Sequence, residues 1–243
     1  METFLAESFA KLKAGGTENL ILDLRDNEGG NGDYAVLLYS YLAHEPFHLG
    51  RPTVLASKRM SYMRFAENPS DDVKQFAAAP DSFVTAGEGG AWVLRPEIDE
   101  ESYKVYPPKA DAFRGRLFVI TNGGSFSATN GVIDLVAHFH RAKGRHAVFV
   151  GTPNGGDNAA EWSSGGQTLT VALPHSKQRL TVPLLASRRL SGGGAKPTPL
   201  PDHRVVPSIE DVVGGIDREM VFAGELAATA RQAPALNPGQ ARE

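Results

Sequence analysis

The sequence predicts an α/β fold, and three observations carry that prediction. Three short apolar runs have the composition of buried strands: Leu20-Ile21-Leu22-Asp23-Leu24, Arg116-Leu117-Phe118-Val119-Ile120-Thr121 and His146-Ala147-Val148-Phe149-Val150-Gly151. Each run ends in a polar loop rich in glycine. Two of these loops hand the chain to an apolar-faced helix. Continuous rather than alternating apolar runs suit strands buried on both faces, as in sheets covered by helices. Strand, loop and helix in succession is the pattern of that class.

Each element has a local reason. Residues 2–14 read as a helix because Leu5, Phe9 and Leu12 follow a spacing of four and three, and Gly15-Gly16 stop it. The first strand leads into Arg25-Asp26-Asn27-Glu28-Gly29-Gly30-Asn31-Gly32. Asp33 is the expected cap of the next helix, which Val36, Leu37 and Tyr39 carry towards Leu42. Residues 50–113 read as an excursion between two core units. Within it, Pro52–Ala56 and Ala91–Leu94 suit short strands, Ser70 suits the cap of a short helix through Phe76, and Pro107-Pro108 break the chain. After the central strand come Gly123-Gly124-Ser125-Phe126-Ser127-Ala128-Thr129-Asn130. Ala128, Val132, Leu135, Val136 and Phe139 then mark one face of a helix. The third strand ends in Thr152–Asn158. Residues 168–173 and 179–182 suit a hairpin. Residues 191–201 read as a flexible loop, Ser208–Asp211 as a variant capping box, and Asp217 as the start of the last helix. Residues 1–232 form the expected core, and 233–243 a disordered tail.

Composition narrows the function. The chain has 243 residues, 41% hydrophobic and 22% charged, with a formal net charge of −3. That balance gives no electrostatic case for nucleic acid. No run of about 18 apolar residues predicts a membrane span. The start, Met-Glu-Thr-Phe-Leu-Ala-Glu, is acidic and does not read as a signal peptide. The absence of cysteine excludes disulfides, thiolate metal sites and cysteine nucleophiles.

The turn at Ser127 is the leading candidate for chemistry. A hydroxyl held where a buried strand meets a helix is rigidly placed. The unpaired N–H groups of the helix start lie beside it and can stabilise an oxyanion. On this turn alone a plain helix cap, which needs no chemistry, is the simpler account of a serine there. The Gly29-Gly30 loop has neither G-x-G-x-x-G nor G-K-S/T spacing, so a phosphate loop is ruled out. Glycines there instead allow a peptide N–H to approach a substrate oxygen, or simply make a turn. No H-E-x-x-H motif and no cofactor motif is present, so no metal or cofactor is expected. Asp134 and His138, four apart, have the spacing of a pair but read rather as residues of a solvated helix face. None of the seven histidines is singled out by position. The G-x-S-x-G elbow is also missing.

These residues carry a family resemblance. Leu20-Ile21-Leu22-Asp23-Leu24-Arg25-Asp26-Asn27-Glu28-Gly29-Gly30 resembles the L-I-x-D-L-R-x-N-x-G-G stretch of the C-terminal processing (tail-specific) serine peptidases. Leu117–Ile120 followed by Ser125-Phe126-Ser127-Ala128-Thr129 resembles that family's strand and nucleophile turn. Val150-Gly151-Thr152-Pro153 through Gly155-Gly156 resembles its downstream loop, and Pro201-Asp202-His203-Arg204-Val205 its P-D-x-x-V. The likeness is to the branch related to interphotoreceptor retinoid-binding protein and tricorn-core-like peptidases. It implies a crotonase/Clp-like core of stacked β-β-α units, here truncated at the N-terminus. It implies Ser127 as nucleophile and an oxyanion hole from the N–H groups of Gly30 (or Gly29) and Ala128. It also implies a peptide or protein substrate and a periplasmic or secreted setting. The lysine that follows the last loop glycine in one branch is replaced by Asp157 and Asn158, residues suited only to orienting a partner. Asn130 and Gly131 stand where a glutamate is common. The upstream histidine of the tricorn-like branch has no counterpart. Two other readings remain open: an inactive ligand- or peptide-binding module on the same fold, and crotonase-like thioester chemistry.

Overall fold

The computed structural model describes residues 1–49, 52–55, 57–87, 90–155, 162–164, 168–188 and 200–230. In chain order its elements begin with α1 (Glu2–Ala14), β1 (Asn19–Asp23), α2 (Gly32–Ser40), β2 (Val54–Leu55), α3 (Asp71–Ala78), β3 (Val84–Ala86), β4 (Trp92–Leu94) and α4 (Glu100–Tyr103). There follow β5 (Arg116–Thr121), α5 (Ala128–Phe139), β6 (Ala147–Gly151), β7 (Trp162–Ser164), β8 (Thr168–Ala172) and β9 (Arg179–Pro183). The chain closes with β10 (Ala186–Arg188), β11 (His203–Arg204), α6 (Ile209–Gly214) and α7 (Arg218–Ala230). Two compact units result, one from Met1–His44, Pro108–Asn158 and Pro199–Glu243, the other from Glu45–Pro107 and Ala159–Thr198.

The first unit is built on a parallel sheet in the order β1-β5-β6-β11. Phe118, Val119 and Ile120 are at most 1% exposed, so β5 is covered on both faces, which is why its sequence runs apolar without alternation. α7 packs against β1, β5 and β6, where Ile120, Val150 and Ala223 form a cluster flanked by Ile21, Val205 and Met220. α5 packs against α2. Every residue of α5 from Val132 to Ala137 is buried, a wider buried surface than the single apolar face read from spacing. This corrects the expectation for Asp134. It is 4% exposed rather than on a solvated face, because α5 is enclosed on several sides. The cap of α2 is also corrected. Asn31, with extended backbone, accepts from the Asp33 N–H at 2.8 Å, and Asp33 sits inside the first turn. Further along, Ser208 and Asp211 form the expected capping box of α6, and Asp217 accepts from the Met220 N–H to open α7.

The second unit is antiparallel, with a sheet in the order β3-β4-β2-β10-β7 and a separate β8-β9 hairpin. Leu55, Phe76, Val84 and Leu94 form its core. Ser70 caps α3 as its sequence suggests. The expected loop at 191–199 and the tail at 233–243 lie outside the described residues.

Candidate active site

Parallel pairing of β1 with β5 brings their C-terminal loops together. The register sets Asp23 opposite Ile120, so Leu24–Asn31 and Asn122–Ser127 leave the sheet side by side. Polar groups then lace the two loops. Asn122 Nδ2 donates to Asp26 Oδ1 at 3.0 Å, and Asn122 Oδ1 accepts from the N–H of Asp26 at 3.0 Å and of Gly124 at 2.9 Å. The Asn27 carbonyl accepts from the Phe126 N–H at 3.0 Å. Its side-chain Oδ1 accepts from the Gly29 N–H at 3.1 Å and the Thr129 hydroxyl at 2.8 Å. Asn27 and Asn122 are the residues that position this site, and spacing alone gave them no role.

The two serines of the turn separate cleanly. Ser125 is fully buried; its Oγ donates to the Leu24 carbonyl at 2.8 Å and accepts from the Asn122 N–H at 3.1 Å. Ser127 is exposed and sits at φ 56°, ψ −121°. This is a backbone region that a residue with a Cβ enters only under strain, at a cost of about 1–3 kcal/mol. Ser127 occupies the cap position of α5 yet makes no cap hydrogen bond. The plain-cap reading therefore fails, because the hydroxyl accepts no hydrogen bond from the helix start. Such a strained strand-to-helix turn is how other hydrolase folds expose a nucleophile, and here it forms without the G-x-S-x-G sequence.

Gly29 is pressed against this turn. A Cβ on it would come within 2.6 Å of the Phe126 carbonyl, 2.7 Å of the Ala128 nitrogen and 2.8 Å of the Ser127 Cβ, and its φ of +93° disfavours any side chain. The Gly29 N–H, the other candidate oxyanion donor of this loop, donates to Asn27 Oδ1. The N–H groups of Gly30 and Ala128 have no partner among the described residues. A cavity of about 120 Å³ adjoins Ala128 and Gly29, with Leu24, Leu38 and Val132 on its apolar side and Asn27, Asn31 and Thr129 among its polar lining.

The downstream loop docks on the same turn. The Gly155 N–H donates to the Ser125 carbonyl at 3.0 Å, Asn130 Nδ2 to the Gly155 carbonyl at 2.9 Å, and Asn154 Nδ2 to Asn130 Oδ1 at 2.5 Å. Asn130 is thus 5% exposed and holds this loop. Asp157 and Asn158 lie outside the described residues. Among the described residues the Ser127 hydroxyl has no hydrogen-bond partner, histidine or other. None of the described residues form a group of three or more side chains able to hold a metal. No described helix is long and apolar enough to cross a membrane.

Two further motifs brace the sheet. Arg25 Nη2 meets Asp23 at 2.6 Å and Asp217 at 2.7 Å, while its Nη1 meets the buried Glu219 at 3.2 Å. Hydrogen bonds from Arg25 hold the Asp23 and Asp217 carboxyls below their ordinary range, and those two carboxylates raise the guanidinium in turn. Asp202 accepts from the Phe149 N–H at 2.8 Å and pairs with Arg141, which seats β11 beside β6.

Comparison with known proteins agrees with this architecture. No curated protein sequence matches the chain. A candidate peptidase from Parabacteroides merdae ATCC 43184 has a similar structure, with a TM-score of 0.60 at 19% identity, over 97% of this chain and 59% of its own. Mature CPAF complexed with lactacystin is similar with a TM-score of 0.53 at 17% identity, over 93% of this chain and 47% of its own. The chain therefore spans 59% and 47% of the lengths of these two structures. At such identities the likeness establishes the mixed α/β fold. The model of peptidase family S41 matches residues 1–179, about three quarters of the sequence. With the four motifs and the fold in agreement, the chain belongs to peptidase family S41.

Proposed function

We propose that this chain is a serine-type peptidase domain in which Ser127 is the nucleophile. The observation that carries the reading is the strained, uncapped, exposed Ser127, with the Ala128 N–H and the Gly29-Gly30 loop beside it. The Ser127 Oγ attacks the scissile carbonyl carbon of a peptide. The carbonyl oxygen becomes an oxyanion that the N–H groups of Ala128 and Gly30 stabilise, at the positive end of α5. The hydroxyl proton passes to a base and then to the departing amine as the acyl-enzyme forms, and water releases the acid product. Asp157 and Asn158 follow directly on the docked loop and are candidates to orient that base. The apolar side of the small cavity beside Gly29 and Ala128 suits a short aliphatic side chain of the substrate, since a dry cavity of about 150 Å³ accommodates benzene.

The absence of a partner for Ser127 among the described residues favours a second reading, a binding module that recognises peptides without cleaving them. One experiment separates the two. Wild-type chain and Ser127→Ala are treated with a fluorophosphonate and mapped by peptide mass spectrometry. Adduct on Ser127 of the wild type, with loss of peptide hydrolysis by at least ~10³-fold in the variant, supports the peptidase. No adduct on a folded wild type, with saturable peptide binding unchanged in Ser127→Ala, establishes the binding module instead.

A further inference from the structure

We propose that the first unit carries a second ligand site, an anion pocket for a phosphate-bearing small molecule, at the end of the parallel sheet opposite Ser127. The strands place it there. Thr17 and Glu18 precede β1, Arg114, Gly115 and Arg116 open β5, and Arg145 and His146 precede β6; together with His44 and His140 they line one cavity of about 570 Å³. Ser127 and Gly29 follow the other ends of the same strands, roughly 20 Å away along a six-residue strand. The cavity falls within the range of small-molecule sites, about 300–1,000 Å³.

Its chemistry is one-sided. Three arginines converge from two neighbouring strand starts, Arg114 and Arg116 from that of β5 and Arg145 from that of β6, and Glu18 is the one carboxylate in the lining. Each arginine is held by a fixed oxygen. Arg114 donates to the Ala43 carbonyl at 3.2 Å, Arg145 to the Phe139 carbonyl at 3.0 Å, and Arg116 to Asn19 Oδ1 at 2.7 Å, with Glu18 at 3.6 Å. The remaining donors of Arg114 have no partner among the described residues. Guanidinium groups anchored in this way present a preformed fork, the geometry that grips phosphate oxygens in pairs. An excess of two positive charges matches a phosphate dianion better than a single carboxylate, and the volume leaves room for an esterified group. Solvated surface arginines would be the plainer account. Arginines sharing a cavity repel one another, and a bound anion offsets that repulsion.

The test uses the full chain and pyrophosphate as the probe, titrated calorimetrically at constant ionic strength into wild type, Arg114→Ala and Ser127→Ala. Saturable one-site binding is expected, weakened about tenfold or more in Arg114→Ala and unchanged in Ser127→Ala. The last arm separates this site from the peptidase reading. Imidazole NMR of the wild type locates the site independently of any variant: the His44 and His146 ring signals shift with pyrophosphate and not with chloride. The proposal is overturned by an absence of saturable heat, by an equal response to sulfate at matched ionic strength, by Arg114→Ala binding as tightly as wild type, or by imidazole signals that do not move. Binding of a phosphoserine peptide in place of pyrophosphate would overturn the assignment to a small molecule.

Discussion

At the scale of single residues, two serines two positions apart have opposite fates, and the hydrogen bonds decide which is which. Ser125 is closed into the fold by Leu24 and Asn122, so Ser125→Ala should leave that buried carbonyl and N–H unsatisfied and cost about 1–3 kcal/mol in urea unfolding. The proposed nucleophile, Ser127, has no such duty, and Ser127→Ala should melt close to the wild-type temperature, because the hydroxyl makes no cap hydrogen bond and alanine keeps the Cβ that strains the turn. Gly29 makes the complementary case. Gly29→Ala drives a methyl into the Phe126 carbonyl and the Ala128 nitrogen, so it should displace the Ser127 turn, lower stability by roughly 1–3 kcal/mol and suppress fluorophosphonate labelling. Gly30→Ala meets open space and bears only the strain of its positive φ, so its stability loss should be the smaller of the two. Equal losses in the two variants would show that the close approach at Gly29 is not what fixes the turn.

At the scale of elements, local sequence rules account for starts and stops, and tertiary contacts decide what each element touches. The Ser208 and Asp211 capping box was legible because its partners are three residues apart. Ser208→Ala should cost about 1 kcal/mol in thermal unfolding. The buried setting of Asp134 was not legible, because an i,i+4 spacing says nothing about how many sides of a helix are covered. The role of Arg25 was likewise hidden. Its partners Asp217 and Glu219 lie 192 and 194 residues away and are brought close only when α7 packs on the sheet. Arg25→Met leaves the side chain of Glu219, 8% exposed, without that guanidinium. A loss of roughly 1–3 kcal/mol is expected, smaller than for a fully buried pair because Asp217 is half exposed to solvent.

At the scale of the whole molecule, the first unit is assembled from three separated segments, so its stability reports on long-range packing. His140 gives that packing a pH signature. Burial first, and then the charges of His44, Arg145 and Arg114, push its imidazole down to about 4. The ring is 3% exposed and meets the Tyr39 hydroxyl at 3.1 Å. An unfolded histidine titrates near 6.5, so between pH 6.5 and about 4 the unfolded chain takes up a proton that the folded chain refuses. Stability should therefore fall as pH drops through that window, by up to roughly 2–3 kcal/mol. Asp23 and Asp217, with lowered folded values, surrender their contribution only below the ordinary carboxylate range. Urea unfolding between pH 7 and 4.5 of wild type and His140→Gln checks this. A flat wild-type profile, or an equally steep one in the variant, would refute it.

The sequence by itself determined the class of fold, because strands buried on both faces must be continuously apolar and helices must announce their caps within a turn. It also marked the Ser127 turn and the Gly29-Gly30 loop as belonging to one family. Only the tertiary structure decided how they meet. The register of β1 against β5, fixed by sheet pairing across about a hundred residues, sets Gly29 against Ser127. The same contact presses the serine into a backbone conformation that no local propensity favours, one that persists only because the surrounding hydrogen bonds over-determine it. The three arginines at the other end of the sheet have the same origin. Arg114 and Arg116 share a cavity with the distant Arg145 because the parallel strands β5 and β6 start side by side.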